Sequence, residues 1–154
     1  MAIYIWIVDK NGTITNDTYE SQSKFDLMED LGIYHHLQLL WDNVYNETGK
    51  KINDDEDGWY EKLELISFLN LVNEEIEKCK AIKVNDWEFS IHSKAYTFIN
   101  GLANFNNKNN LSEVEFKTQT YKIVKTKLLE YLDQLRLKIV RAIKFDKRLY
   151  LSYA

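Results

Sequence analysis

An α+β fold dominated by helices is what this sequence predicts, on three observations. Apolar residues recur at helical spacing through most of the 154 residues, no proline interrupts them, and both ends of the chain are short β-prone runs. They describe a bundle of about five helices with a small sheet. An N-terminal β-hairpin supplies that sheet, and the C-terminal segment is a candidate further strand. The length is that of a single core, so one domain over 1–154 is expected.

Residues 2–9 are rich in Ile and aromatics and apolar on both faces, which reads as a strand. Asn11-Gly12 then precedes Thr13-Ile14-Thr15, a hairpin signal because both turn positions need positive φ. Ser21 to Leu31 reads as a short helix with Phe25, Met28 and Leu31 inward, stopped by Gly32. Ile33, Leu37, Leu40, Trp41 and Val44 form a second helical stripe that fades at Glu47-Thr48-Gly49. After a polar loop from Lys50 to Gly58, Leu65, Phe68, Leu69, Val72, Ile76 and Cys79 mark a third helix. Trp87, Ile91, Ala95, Phe98 and Leu102 mark a fourth, before an asparagine-rich connector. Ser112 with Glu115 matches a capping box, opening a long helix to Phe145 with Val124, Leu128, Tyr131, Leu135, Ile139 and Ala142 inward. Ile123 and Leu137 lie opposite that stripe, as in a helix packed on more than one side. Leu149 to Tyr153 alternates like a strand.

A composition of 45% apolar and 29% charged residues belongs to a folded chain, not a disordered one. The net charge of −4 is unevenly spread: residues 1–110 hold ten Lys/Arg against nineteen Asp/Glu, a balance of −9, and residues 111–154 hold ten against five, a balance of +5. Cys79 is the sole cysteine, no basic leader precedes the first apolar run, and no run reaches transmembrane length. A cytoplasmic protein away from membranes is the expectation.

The sharpest local pattern is Asn53-Asp54-Asp55-Glu56-Asp57-Gly58-Trp59-Tyr60-Glu61-Lys62-Leu63-Glu64. It resembles the calcium loop of the EF-hand family. The resemblance implies oxygen ligands from Asn53, Asp55, Asp57, the Trp59 carbonyl, Glu61 and a bidentate Glu64, with Gly58 at the sharp turn. It departs from that pattern in Asn53 at the first position and in lacking a second such loop. The alternative is an acidic surface loop at the positive end of the next helix. Separately, Leu37-Gln38-Leu39-Leu40-Trp41-Asp42 resembles a Leu-x-x-Leu-Trp-Asp helix of the barstar family of ribonuclease inhibitors. The rest of the chain has no alternating parallel-sheet pattern, and membership is not inferred.

Other candidates for chemistry carry less. His35 and His36 are adjacent, so on a helix they point about 100° apart and cannot share one metal face. His92 is solitary, and Cys79 sits on an apolar helix face, where cysteine packs as a small hydrophobe. Lys122, Lys125, Lys127, Lys138, Arg141, Lys144 and Arg148 encircle the last helix instead of lining one stripe, which argues against phosphate tracking by nucleic-acid binders. No catalytic set, cofactor motif or metal site is read.

The expected function is therefore that of a small acidic antagonist of another protein, of the immunity or anti-defence type, neutralising a basic partner such as a nuclease or toxin. Asp54, Asp55, Glu56 and Asp57 would steer the partner, and Trp59 and Tyr60 would anchor it. A calcium-binding module at 53–64 is the alternative, and a helical enzyme with scattered residues is a third.

Overall fold

The computed structural model describes residues 2–10, 23–26, 33–51, 58–83 and 113–153. Within them the chain is α+β and mostly helical. Three helices, α1 (Ile33–Thr48), α2 (Leu63–Ala81) and α3 (Glu113–Lys144), accompany a small antiparallel sheet. The strands are β1 (Ala2–Val8), β2 (Ser23–Asp26), the two-residue β3 (Trp59–Tyr60) and β4 (Arg148–Tyr153), in the order β2-β1-β4-β3.

The two ends of the chain meet at the middle of this sheet. β1 runs antiparallel to β4 from Ile3 opposite Tyr153 to Val8 opposite Arg148. The C-terminal run is thus a strand, as its alternation suggested. Two-residue periodicity then sorts the side chains. Ile5, Ile7, Tyr60, Leu149 and Leu151 join the core built by the helices. Tyr4, Trp6, Trp59 and Tyr150 occupy alternate positions, on the other face of the sheet.

Helical periodicity accounts for the rest of the core. Leu37, Leu40, Trp41 and Val44 of α1 are buried, as are Leu65, Phe68, Val72, Ile76 and Cys79 of α2. Leu128, Leu132, Leu135, Ile139 and Ala142 of α3 complete it, with Tyr131 partly buried beside them. α2 lies between the others, packing chiefly on α3 and then on α1. α1 stops at Gly49, whose φ of +73° suits a residue without Cβ and whose N–H donates to the Tyr45 carbonyl at 2.8 Å. α3 ends in a left-handed Asp146, after which the Lys147 N–H returns to the Ala142 carbonyl at 2.8 Å.

One expectation is corrected here. Ser23–Asp26, read as part of a helix over 21–31, is strand β2, paired with β1 from Ala2 opposite Asp26 to Ile5 opposite Ser23. Three apolar residues in so short a window suggest a helix only weakly, whereas β1 offers a backbone edge that an extended segment satisfies. The turn at Asn11-Gly12, residues 13–15 and the helix over 87–102 lie outside the described residues, as do the side chains of Ile123 and Val124. Leu137 faces solvent at 53% exposure.

Candidate functional site

Of the residues expected at a docking face, residues 54–57 lie outside the described residues. Trp59 and Tyr60 do not share a surface. They are consecutive residues of β3, so the pleat sends them to opposite faces of the sheet. Tyr60 is 0% exposed, edge-on to Phe68 with ring centres 5.1 Å apart, and its hydroxyl donates to the Lys50 carbonyl at 3.2 Å. It is a core residue here, not a surface ring.

Trp59 is half-buried on the outer face and held on that face by its neighbours. Its ring lies 4.7 Å from that of Tyr150, directly opposite on β4, at an interplanar angle of 36°. The Arg148 guanidinium carbon stands 4.0 Å from the Trp59 ring centre, within cation–π range. The ring ladder continues from Tyr150 to Trp6 at 5.4 Å and from Trp6 to Tyr4 at 5.7 Å. Cross-strand aromatic pairs of this kind fix register as well as bury area. The ladder was missed in the sequence, although Tyr4-x-Trp6 and Tyr150 carried the period-two signal for it.

Gly58 has a different role from the metal-loop glycine that the calcium resemblance implies. Its carbonyl accepts the Leu151 N–H at 2.9 Å, and a Cβ built on it would lie 2.6 Å from the Leu151 oxygen and 2.8 Å from Tyr150 Cε2. It lets the chain enter β3 tight against β4.

Lys50 organises the other side of this segment. Its ammonium donates to the Trp59 carbonyl at 2.7 Å and to Glu64 Oε1 at 3.0 Å, with Oε2 at 2.9 Å. Glu64 in turn accepts the Glu61 N–H at 3.3 Å and donates its own to the Glu61 carbonyl at 3.1 Å, a reciprocal pair at the start of α2. The Trp59 carbonyl and the Glu64 carboxylate are two of the oxygens that the calcium resemblance assigns to a metal. A lysine ammonium holds both.

Cys79 and Lys125, two further candidates among the described residues, are tied into the packing of α2 and α3. Burial pushes the Cys79 thiol up to about 11, with Lys125 acting against it and Glu75 with it, so the sulfur keeps its proton at neutral pH. His35 and His36 lie on α1, their side chains outside the described residues, and His92 is outside them altogether. Lys125 donates to the Lys80 and Ile82 carbonyls at 2.8 and 3.3 Å and to the Tyr121 hydroxyl at 2.8 Å, closing the C-terminus of α2. Lys147 pairs with Asp9 at 2.9 Å and Lys10 with Asp146 at 3.4 Å, two ion pairs that tie the end of β1 to the turn before β4. Among the described residues no three His, Cys, Asp or Glu side chains converge as a metal site, and no helix is long and apolar enough to cross a membrane. The chain matches no protein-family model, no curated protein and no solved structure.

Proposed function

We propose that this chain is a small protein-binding antagonist that meets a basic partner, such as a nuclease or toxin, through its acidic N-terminal half. The observation that carries the reading is the placement of Trp59. In sequence this ring comes two residues after the acidic run Asp54 to Asp57, with Gly58 between, and Arg148 and Tyr150 hold it on the outer face of the sheet. A pre-positioned indole close in sequence to a run of carboxylates combines an anchor of low ordering cost with charge steering of a basic surface. Exposed acids on α1 and α2, namely Asp42, Glu47, Glu74 and Glu77, extend the negative field beyond the loop.

Anchoring falls to Trp59 alone, since Tyr60 belongs to the core. The calcium reading of residues 53–64 requires Lys50 to leave two of the proposed ligand oxygens, and this weighs the balance toward a protein partner. The experiment is capture of a partner from the native host with the wild-type chain. Association kinetics at two salt concentrations follow, for the wild type and for a variant with Asp54, Asp55, Glu56 and Asp57 all changed to lysine.

A further inference from the structure

Among the described residues, the outward face of α3 carries an exposed stripe. With Leu128, Leu132, Leu135, Ile139 and Ala142 turned inward, 100° per residue places Asp133, Leu137, Val140 and Lys144 in one line on the opposite side. Their spacing of four, three and four residues is the seam of a two-helix coiled coil. Leu137 and Val140 are 53% and 38% exposed, and Asp133 and Lys144 are exposed at the two ends of the line. Leu137 was one of the two residues, with Ile123, whose position suggested a second packed side.

The stripe is complementary to itself when reversed. We infer that α3 pairs with the α3 of a second copy of this chain, antiparallel, about a two-fold axis passing between Lys138 and Ile139. Leu137 of each protomer then meets Val140 of its partner, and Asp133 of each meets Lys144 of its partner. The flanking positions agree: Arg136 falls beside Ile143 and Gln134 beside Arg141, so no like charges face one another. A parallel pair would instead set Asp133 on Asp133 and Lys144 on Lys144, which costs energy at facing positions. Arg136 bonds only Oδ1 of Asp133, through Nη2 at 2.7 Å and Nε at 3.1 Å, leaving Oδ2 for the second cation. A two-fold contact closes on itself and needs one patch only, which this stripe provides.

The seam spans less than two heptads, so the dimer is weak and must be read across a concentration series. Sedimentation equilibrium of the full chain is expected to show a monomer–dimer equilibrium. Leu137→Glu with Val140→Glu is expected to leave only monomer, with a far-UV melting curve that matches the wild type at concentrations where the wild type is itself monomeric. Lys144→Glu alone, and Asp133→Lys alone, should each lose the dimer. The double exchange Asp133→Lys with Lys144→Glu should restore it by returning opposite charges to facing positions. A wild type that stays monomeric throughout, a dimer indifferent to Leu137→Glu with Val140→Glu, or a double exchange without rescue would each overturn the inference.

Discussion

The Arg148 guanidinium lies 4.0 Å from the centre of the Trp59 ring, joining the first residue of β4 to the first residue of β3. Trp59 is thereby fixed on the outer face of the sheet while Tyr60, its neighbour in sequence, fills the core. If Trp59 anchors a partner, Arg148→Ala should loosen the ring and raise the partner's off-rate, with a smaller loss than Trp59→Ala. Surface plasmon resonance on the captured partner reads both. Equal off-rates for Arg148→Ala and wild type would remove Arg148 from the account.

Tyr60 and Trp41 should behave as core residues. Trp41 is 6% exposed and edge-on to Phe68 at 6.3 Å, and Trp41→Ala is expected to cost about 3–5 kcal/mol. Tyr60→Phe should cost only about 1 kcal/mol, the usual net worth of one hydrogen bond, here to the Lys50 carbonyl. Urea midpoints at constant slope measure both, and a Trp41→Ala midpoint equal to wild type would contradict the packing described.

The two described glycines with distinct roles give a paired prediction. Gly58→Ala places a Cβ 2.6 Å from a backbone oxygen that cannot swing away, and should cost about 1–3 kcal/mol while disturbing the β3–β4 pair. Gly49→Ala meets nothing within 4 Å and should cost only the strain of its left-handed backbone, about 1 kcal/mol. A larger loss at Gly49 than at Gly58 would reverse the assignment.

Cys79 gives a pH prediction with a definite sign. Its thiol ionises near 9 when unfolded and about 11 in the fold, so the folded chain holds the proton more tightly. The stabilisation is complete below pH 9 and is lost as the pH climbs toward 11, because there the unfolded state alone gives up its proton. Unfolding free energies for wild type and Cys79→Ala should therefore converge as the pH rises through that window. A difference between the two that is independent of pH would contradict a shifted thiol.

Much of this architecture was legible because helices announce themselves locally. Apolar residues at 3.6-residue spacing marked α1, α2 and α3, and Gly49 marked an end. Strand pairing is not local. Nothing within Ser23–Asp26 says that it lies beside Ile3 and Ile5, and three apolar residues imitated a helix. The arrangement of the two aromatics was hidden for a related reason. Trp59 and Tyr60 looked like one aromatic cluster when the segment was read as a loop, but as strand residues they part to opposite faces. Lys50 carried no signal, since nine residues of sequence separate it from the Trp59 carbonyl it binds.

Lys50 also decides what calcium should do. With its ammonium on the Trp59 carbonyl and both Glu64 oxygens, added calcium is expected to produce no saturable change in tryptophan fluorescence up to roughly millimolar concentrations. A saturable response abolished by Glu64→Gln would establish the metal reading instead.

The most direct test of the acidic docking face is the association rate of the captured partner, measured at low and at physiological salt. Exposed charges are screened beyond about 8–10 Å under physiological conditions, so steering predicts that wild-type association slows markedly as salt rises. Changing Asp54, Asp55, Glu56 and Asp57 to lysine should lower the on-rate at low salt and flatten its salt dependence. The acidic docking face also requires the urea midpoint to move little, since surface charges contribute little to folding. A partner that associates with the four-lysine variant as fast as with the wild type, at both salt concentrations, would contradict the acidic docking face.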